Sequence, residues 1–365
     1  MKQAVNIARI LVGVLFIFSG LVKAIDPLGL AYKMQEFFDV WAAEGIMTGL
    51  MLWLNEQALL FSLLMITLEV VLGVALLLSW RKHMLSWLLL LLMLFFTFLT
   101  SYVLFSGKIR ACGCFGDCIP LTPIQTFTKD IILLILVLLI LFGRKHIKPV
   151  FSNKINVSLF LLSFFSVLGL QWYVLHHLPV KDCLPFKIGN NILELRKMPA
   201  DAIPDKFDYK FIYQKNGEKK EFAVTALPDS SWEFAERKQV LIEKGKNNIP
   251  LINDFIFNTE SGNDTTEAIL NQPEEYYLLF AKDFEEGDME WIKYFELFYT
   301  KKVGLNNVYL VTADPKTAKR LINIPSPLIF TCDATAIKTA ARVNPTLFLM
   351  KGPVVQNKWA ARDKF

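Results

Sequence analysis

The sequence is poor in cysteine, histidine and charged residues. Its 365 residues include five cysteines and four histidines, and charged side chains make up only 20% of the chain. The formal net charge of +5 is modest and comes largely from short basic clusters beside apolar runs. Such clusters report membrane orientation, so the composition argues against a nucleic-acid-binding protein.

Apolar residues are abundant instead and are unevenly distributed. Hydrophobic residues make up 53% of the chain, with 30 phenylalanines, and the mean hydropathy is +0.38. This is too apolar for an ordinary soluble protein. The first half has nearly uninterrupted apolar runs, whereas the second half resembles a soluble domain. The composition changes near residues 178–181, which predicts two main parts.

Five segments approach the roughly 20 apolar residues that a membrane-spanning helix needs. They are residues 4–22, 58–79, 84–104, 124–142 and 157–178. The fourth reaches this length only by including Lys129 and Asp130, which we expect at one membrane interface. The first resembles a signal peptide, but Arg9 interrupts its early part, and we interpret it as an uncleaved span.

The basic clusters predict the orientation of these spans. Arg81-Lys82-His83 follows the second segment, and Arg144-Lys145-His146 follows the fourth. Both clusters and the N-terminus should face the cytoplasm, which leaves the C-terminal part and residues 107–123 outside. We therefore predict a bacterial inner-membrane protein with five transmembrane helices, a cytoplasmic N-terminus and a periplasmic C-terminal domain. All its cysteines then lie on the oxidising side or at its edge.

Residues 107–123, hereafter the cysteine loop, hold Cys112, Cys114 and Cys118 within seven positions. Three cysteines allow one disulfide and one thiol, and thiolate attack can move such a bond. Lys108 and Arg110 favour the thiolate form, so the spacing suits disulfide exchange.

Two other interpretations of the cysteine loop remain open. Most extracytoplasmic disulfides are structural, so one bond could simply fix the loop while the third cysteine pairs with Cys183. Alternatively, the thiols could bind zinc or copper together with His176, His177 or Cys183, although the spacing matches no familiar zinc site.

Two ionisable residues fall within predicted spans. Glu69 lies near the middle of the second segment, where it could contact a proton or a quinone or act as a neutral carboxylic acid that holds helices together. Lys23 lies nearer the outer surface, where a lysine side chain usually extends to the interface. Ser19 and Gly20 are typical of close helix packing.

Several of these residues carry a family resemblance. The stretch "RILVGVLFIFSGLVKAIDP" (residues 9–27) and "LEVVLGVALLLS" with Glu69 resemble the DoxX-like membrane proteins, and "CGCFG" (residues 112–116) resembles the MauE branch, named for methylamine utilisation. The resemblance covers about residues 5–145. It implies a four-helix membrane bundle associated with disulfide handling during enzyme maturation, or with quinone-coupled oxidation. A quinone is therefore a candidate cofactor.

The C-terminal half predicts an α/β domain. Residues 207–224 alternate around Asn216-Gly217, which indicates a β-hairpin. Strands at 276–281, 307–313, 327–332 and 346–352 alternate with helices near 287–302, 315–322 and 334–342. The end resembles the thioredoxin fold and implies a cis peptide bond before Pro345. No C-x-x-C motif follows the first of these strands, and Cys332 is typical of a buried apolar residue.

These observations predict a helical membrane bundle followed by an extracytoplasmic α/β thioredoxin-like domain. The expected divisions are a four-helix unit (1–145), a fifth transmembrane helix (146–180), a β-rich connector (181–250) and the thioredoxin-like domain (251–365). The predicted function is thiol–disulfide or electron transfer that supports maturation of a thiol-containing extracytoplasmic protein, as a thiol–disulfide or quinone-linked oxidoreductase component. Cys112, Cys114 and Cys118 would exchange, Cys183 would resolve, and Glu69 would contact the proton or quinone. The alternatives are a non-enzymatic scaffold with structural disulfides, and metal binding or delivery.

Overall fold

The computed structural model describes residues 1–109, 113–215, 217–243, 245, 247–284, 290–325 and 328–363. Its N-terminal half is helical. The helices are α1 (Lys2–Ala24), α2 (Pro27–Ala43), α3 (Thr48–Glu56), α4 (Ala58–Leu78), α5 (Lys82–Ser106), α6 (Pro123–Gly143) and α7 (Asn153–His176). Among the described residues, α1, α4, α5, α6 with the turn after it, and α7 are long and apolar enough to cross a bilayer. The five predicted membrane segments are thus confirmed as helices.

The region between the first two spans is not a simple loop, because it forms α2 and α3. The Asp26 side chain caps α2 by accepting a hydrogen bond from the Gly29 amide, and Pro27 occupies the first helical turn. Asp before Pro is a favourable way to begin a helix, since the carboxylate satisfies an unpaired amide and proline needs none. These two helices lie against the end of the bundle that carries the cysteine loop.

The closest helix pair in the bundle is α1 with α4, and glycine makes this approach possible. A Cβ on Gly73 would lie 2.8 Å from the carbonyl oxygen of Gly13 and 3.0 Å from the amide nitrogen of Ile17. A Cβ on Gly20 would lie 2.4 Å from a methyl group of Val70. Small residues let membrane helices pack backbone to backbone, which substitutes for the hydrophobic driving force that lipid removes.

Replacing Gly73 by alanine should destabilise the bundle, because its methyl group would meet backbone atoms of α1 that cannot rotate away. We expect the midpoint of thermal unfolding in detergent to fall for Gly73→Ala. Gly169→Ala is the matched control, since Gly169 also lies within a spanning helix but a Cβ there meets no atom within 4 Å. The control should leave the midpoint unchanged or raise it slightly, because alanine favours helix by roughly 0.5–1 kcal/mol. Equal midpoints for the two variants would contradict this account of the α1–α4 contact.

The segment after α7 contains one short helix, a three-stranded sheet and a second short helix. These elements are α8 (Ile192–Leu195), β1 (Lys206–Lys215), β2 (Glu218–Ala223), β3 (Glu233–Glu243) and α9 (Thr266–Leu270). The sheet is antiparallel with the order β2-β1-β3. The pairing of β1 with β2 confirms the predicted hairpin; Gly217 has φ +86° in its turn, and Asn216 lies outside the described residues.

The remaining chain forms an α/β domain, as predicted. Its elements are β4 (Glu275–Ala281), α10 (Glu290–Lys302), β5 (Asn307–Thr312), α11 (Pro315–Leu321), β6 (Ile329–Thr331), α12 (Ala334–Ala340), β7 (Thr346–Lys351) and β8 (Val354–Ala360). The sheet order is β6-β5-β4-β7-β8. The first three strands are parallel, whereas β7 and β8 are antiparallel to their neighbours. The Asn344–Pro345 peptide bond before β7 is cis.

Both faces of this sheet are covered, which explains the continuous apolar run of β4. Phe280 packs on one face with Ile337 of α12, and Leu279 packs on the other with Phe295 of α10. Successive residues of a strand point to opposite faces, so a strand between two helical layers is apolar at every position. The domain therefore has a core on each side of its sheet.

The expected connector, residues 181–250, is divided in the structure. Phe186 and Ile192 lie within the α/β core, and Asn191 forms a bridge with Val354. The chain therefore enters the α/β domain soon after α7 and leaves it again to form the β1–β3 sheet. All residues of β3 are exposed, so this sheet extends from the domain as an insertion.

Candidate functional site

The cysteine loop crosses the end of the bundle between α5 and α6. Gly113 and Gly116 have φ +70° and +57°, a backbone region that favours glycine, and residues Gly116–Cys118 form a short 3-10 turn. The Ser19 hydroxyl on α1 donates a hydrogen bond to the Cys114 carbonyl at 3.0 Å. The loop is thereby folded down onto α1. Cys112 lies outside the described residues.

A disulfide joins Cys118 to Cys183, with the two Cα atoms 4.9 Å apart. It connects the cysteine loop with the segment that follows α7 and leads into the α/β domain. Asp182, beside Cys183, accepts a hydrogen bond from the buried Lys358 ammonium on β8 at 2.8 Å. The structure thus joins Cys118, one of the predicted exchanging cysteines, to Cys183, the predicted resolving cysteine, as a bond between the two halves of the chain.

Arg342, just after α12, makes a second connection. Its guanidinium donates to the Asp26 carboxylate at 2.9 Å and to the Asp117 carboxylate at 2.8 Å, and it lies over the Tyr32 ring. Burial opposes the charged form, but the two carboxylates hold the pKa of Arg342 above its ordinary value. One side chain of the α/β domain therefore contacts both the cap of α2 and the residue before Cys118.

A cavity of about 60 Å³ lies inside the bundle beneath this loop, hereafter the bundle cavity. Its walls are mostly apolar side chains, and its polar groups are few. The residues of interest that line it are Ser19, Lys23, Glu69, Cys114, Lys129 and Asp130. The predicted site residues Glu69 and Cys114, which are 45 positions apart in the sequence, thus face one small space.

Lys23 and Glu69 form a buried ion pair in this cavity. The Lys23 ammonium lies 2.5 Å from the Glu69 carboxylate, and the side chains are only 5% and 4% exposed. The ammonium also lies 5.2 Å from the centre of the Phe96 ring. Lys23 therefore does not extend to the interface, as a lone lysine near a helix end would. Glu69 has a basic partner, which differs from the interpretation of a neutral acid that only holds helices together.

Lys129 and Asp130, which we expect at the membrane interface, line the bundle cavity. Asp130 is 1% exposed, and Lys129 lies 3.0 Å from its Oδ1 atom and 4.8 Å from the centre of the Phe115 ring. Within the described residues, Asp130 Oδ2 has no hydrogen-bond partner. The sequence carried a signal for this placement: Asp130 falls on the buried stripe of α6 with Thr126, Leu133 and Val137, a spacing of four, three and four residues.

The cavity therefore combines a cysteine with two cations and two carboxylates. Lys129 and Cys114 lie close enough to interact electrostatically, and a nearby ammonium favours the thiolate, which is the reactive form of cysteine. The two carboxylates balance the two cations, so the cluster is neutral overall. Such a set can stabilise a thiolate and can hold or release protons, which are the two requirements of thiol oxidation and reduction.

The remaining cysteine, Cys332, is separate from this site. It is 3% exposed in the core of the α/β domain, and burial raises the pKa of its thiol to about 12. Among the described residues, no group of three or more His, Cys, Asp or Glu side chains could hold a metal ion. The predicted exchange chemistry therefore concentrates on the cysteine loop.

Comparison with known proteins agrees with the predicted resemblance. Residues 1–143 match the family model described as methylamine utilisation protein MauE, which confirms the similarity inferred for the first 145 residues. Residues 207–244 match a domain of unknown function, DUF8463; these residues form most of the β1–β3 sheet. No solved structure gives a significant match.

A curated relative shares part of the chain. Protein TlpB of Flavobacterium psychrophilum is 34% identical over 160 residues. The match covers 41% of this chain and 40% of the length of TlpB. The MauE match and the five apolar helices support a membrane protein.

Removing one member of the Lys23–Glu69 pair should be far more damaging than removing both. Lys23→Met leaves a carboxylate buried without its cation, and loss of one partner of a buried pair costs about 3–5 kcal/mol. Lys23→Met/Glu69→Met should recover much of this loss in the free energy of unfolding, measured in detergent. Lys33→Met is the control, because the Lys33–Glu36 pair is about one-third exposed and contributes about 0–1 kcal/mol. Equal losses for Lys23→Met and Lys33→Met would refute the buried pair.

Cys332 should resist alkylation in the folded protein. With its pKa raised to about 12 by burial, only about one thiol in 10⁴ is ionised at pH 8, and the side chain is also inaccessible. Mass spectrometry after brief treatment with iodoacetamide should find Cys332 unmodified, whereas the same treatment in denaturant should modify it completely. Rapid labelling of the folded chain at Cys332 would contradict its placement.

Proposed function

We propose that this protein transfers electrons between thiols of the cysteine loop and a lipid-soluble carrier in the membrane. The observation that carries this proposal is that Cys114 and the Lys23–Glu69 pair line one cavity within a membrane bundle. The redox pair would be Cys112 and Cys114, since Cys118 is bonded to Cys183. The loop and the α/β domain would face the oxidising side of a bacterial inner membrane.

The bundle cavity fits the headgroup of a quinone in its chemistry. Its walls include Phe16, Leu30, Met34 and Leu133, and apolar walls with a few oriented polar groups are typical of small-molecule sites. The Asp130 Oδ2 atom lacks a partner among the described residues. Lys23 and Lys129 would donate to the headgroup oxygens. A bound quinone would supply an acceptor for two electrons and two protons.

The other steps, which are stabilisation of the thiolate and uptake of protons, would be carried out by side chains of the bundle cavity. Lys129 would stabilise the Cys114 thiolate, because an adjacent cation offsets the cost of charge in an apolar site. Glu69 and Asp130 would receive protons that the thiols release, and Lys23 would hold Glu69 in position. Each ammonium would also stabilise the negative charge that develops on a nearby acceptor oxygen during its reduction, although the four charged side chains are neutral as a set. We therefore assign the direction from thiol to membrane carrier.

This function can be tested with purified protein in detergent. The loop is reduced with a mild thiol and desalted, and a short-chain ubiquinone analogue is added. The absorbance of the analogue and the number of alkylatable thiols are then followed. We expect one analogue reduced per chain, with the loss of two thiols. Cys114→Ser should abolish the reaction, and Glu69→Gln should slow it about 100-fold, as loss of a positioned acid–base group commonly does.

Cys332→Ala is the matched control for the loss of a cysteine, because Cys332 lies in the core of the α/β domain away from the bundle. It should reduce the analogue at the wild-type rate. Unchanged reduction by Cys114→Ser would overturn the proposal.

The Cys118–Cys183 disulfide favours a second candidate function, that of a membrane-anchored scaffold. It joins the bundle to the segment that enters the α/β domain, beside the Asp182–Lys358 ion pair, and such a bond can be purely structural. A scaffold would hold a partner protein near the membrane without electron transfer. A wild-type protein that fails to reduce the analogue, with both loop thiols still alkylatable, would favour this function.

A further inference from the structure

A second and much larger depression lies on the other side of the cysteine loop. It has a volume of about 850 Å³ and separates the bundle from the α/β domain; we name it the outer cleft. One wall is α2, and the opposite wall is α12 with Arg342. The cysteine loop and residues near 183–190 form its floor and end.

Cys114 lines both the bundle cavity and the outer cleft. Its neighbours Gly113 and Phe115 do so as well, and Lys33 of α2 borders both spaces. Cys114 is half-buried. Residues 113–115 therefore separate the apolar bundle cavity from the open outer cleft, and Cys114 lies between the two spaces.

The lining of the outer cleft combines apolar surface with charged side chains of both signs. Glu36 and Asp39 lie on α2, whereas Lys338 lies on α12. Charged walls do not suit a lipid or a quinone tail. The volume lies within the range of about 300–1,000 Å³ for sites that enclose ligands much larger than a simple thiol. Walls that carry both apolar and charged side chains fit the side chains and backbone of an extended polypeptide.

We infer that the outer cleft receives an extended segment of a second polypeptide and presents one of its cysteines to Cys114. This inference rests on the proposed function, and it adds the class of substrate: a dithiol within a protein. The α/β domain has no C-x-x-C after its first central strand, so that site does not supply the second thiol pair.

The exchange would proceed in two balanced steps. A thiolate of the partner attacks Sγ of Cys114 in a Cys112–Cys114 disulfide; the bond to Cys112 breaks, and Cys112 leaves as a thiolate that takes up a proton. The second thiolate of the partner then attacks the sulfur of the first partner cysteine in the mixed disulfide. The bond to Cys114 breaks, and Cys114 leaves as a thiolate near Lys129. The partner loses two electrons and two protons, and the loop gains them. The quinone-class acceptor of the proposed function reoxidises the loop.

A bulky side chain in the outer cleft should block a polypeptide while sparing a small thiol. Thr335 is exposed at the start of α12 and lines the cleft, so Thr335→Trp would narrow it without altering the loop. Thr300→Trp is the matched control, because Thr300 is also an exposed helical threonine, on α10. The probes are a reduced ten-residue synthetic peptide with two cysteines and dithiothreitol, each oxidised by the protein with the ubiquinone analogue present.

We expect Thr335→Trp to lower kcat/KM for the peptide by at least tenfold and to leave dithiothreitol oxidation unchanged, with Thr300→Trp equal to wild type for both. The Cys112→Ser variant, in which Cys114 is a thiol, should form a mixed disulfide with a peptide whose cysteine is activated as a disulfide with thionitrobenzoate. Cys114 displaces thionitrobenzoate, and mass spectrometry detects the product. Undiminished peptide oxidation by Thr335→Trp, or equal losses for peptide and dithiothreitol, would overturn the inference. Oxidation of dithiothreitol but not of the peptide by wild type would also overturn it while leaving the proposed function intact; oxidation of neither would overturn both.

Discussion

The arrangement of the two halves of the chain depends on the guanidinium of Arg342. Its two carboxylate partners belong to different elements, Asp26 at the start of α2 and Asp117 in the cysteine loop. Charge-assisted hydrogen bonds of this kind are strong and directional, and arginine can satisfy two carboxylates at once. The α/β domain, the helix that forms one wall of the outer cleft and the loop that forms its floor are therefore fixed relative to one another at one point. The Cys118–Cys183 bond adds a covalent connection beside it.

Inside the bundle, the balance of charge determines which residues can be present. A carboxylate or an ammonium alone in an apolar membrane site is costly. The charge of Lys23 is offset by that of Glu69, and the charge of Lys129 is offset by that of Asp130. The buried pairs are poor stabilisers compared with apolar packing, so stability does not account for them, whereas the proposed redox chemistry does. Cys114, at the edge of the same space, is the group that such chemistry would serve.

Much of this architecture could be predicted from sequence, because hydrophobic length and period are strong signals. The five spans, the α/β alternation and the hairpin around Asn216-Gly217 all follow from such patterns. The helices α2 and α3 were missed because their charged and apolar residues are mixed, although Asp26-Pro27 marks the start of α2. Depth in the membrane alone places Lys129 and Asp130 at the interface, whereas the buried stripe of α6 indicates that Asp130 faces the interior of the bundle.

The candidate site was predictable only in part. Glu69 and the cysteines were identified by their chemistry, but their convergence with Lys23 depends on the packing of α1 against α4, which no local pattern specifies. Likewise, the contact of Arg342 with Asp26 joins residues 316 positions apart. Long-range pairs of this kind arise from the tertiary fold, so a single sequence contains no periodic signal for them.

The absence of a C-x-x-C motif after β4 can be understood from the way the α/β domain contacts the bundle. The Asn344 side chain, beside the cis peptide bond, contacts Lys282 and Asp283 at the end of β4, and Arg342 nearby is committed to the bundle. A thioredoxin-like domain uses this edge of its sheet for its own cysteines. Here the same edge adjoins α2 and the cysteine loop, so a second redox pair would compete with Cys114 for one cleft. The α/β domain instead supplies a wall of the outer cleft, which would shape access to the proposed redox pair beneath it.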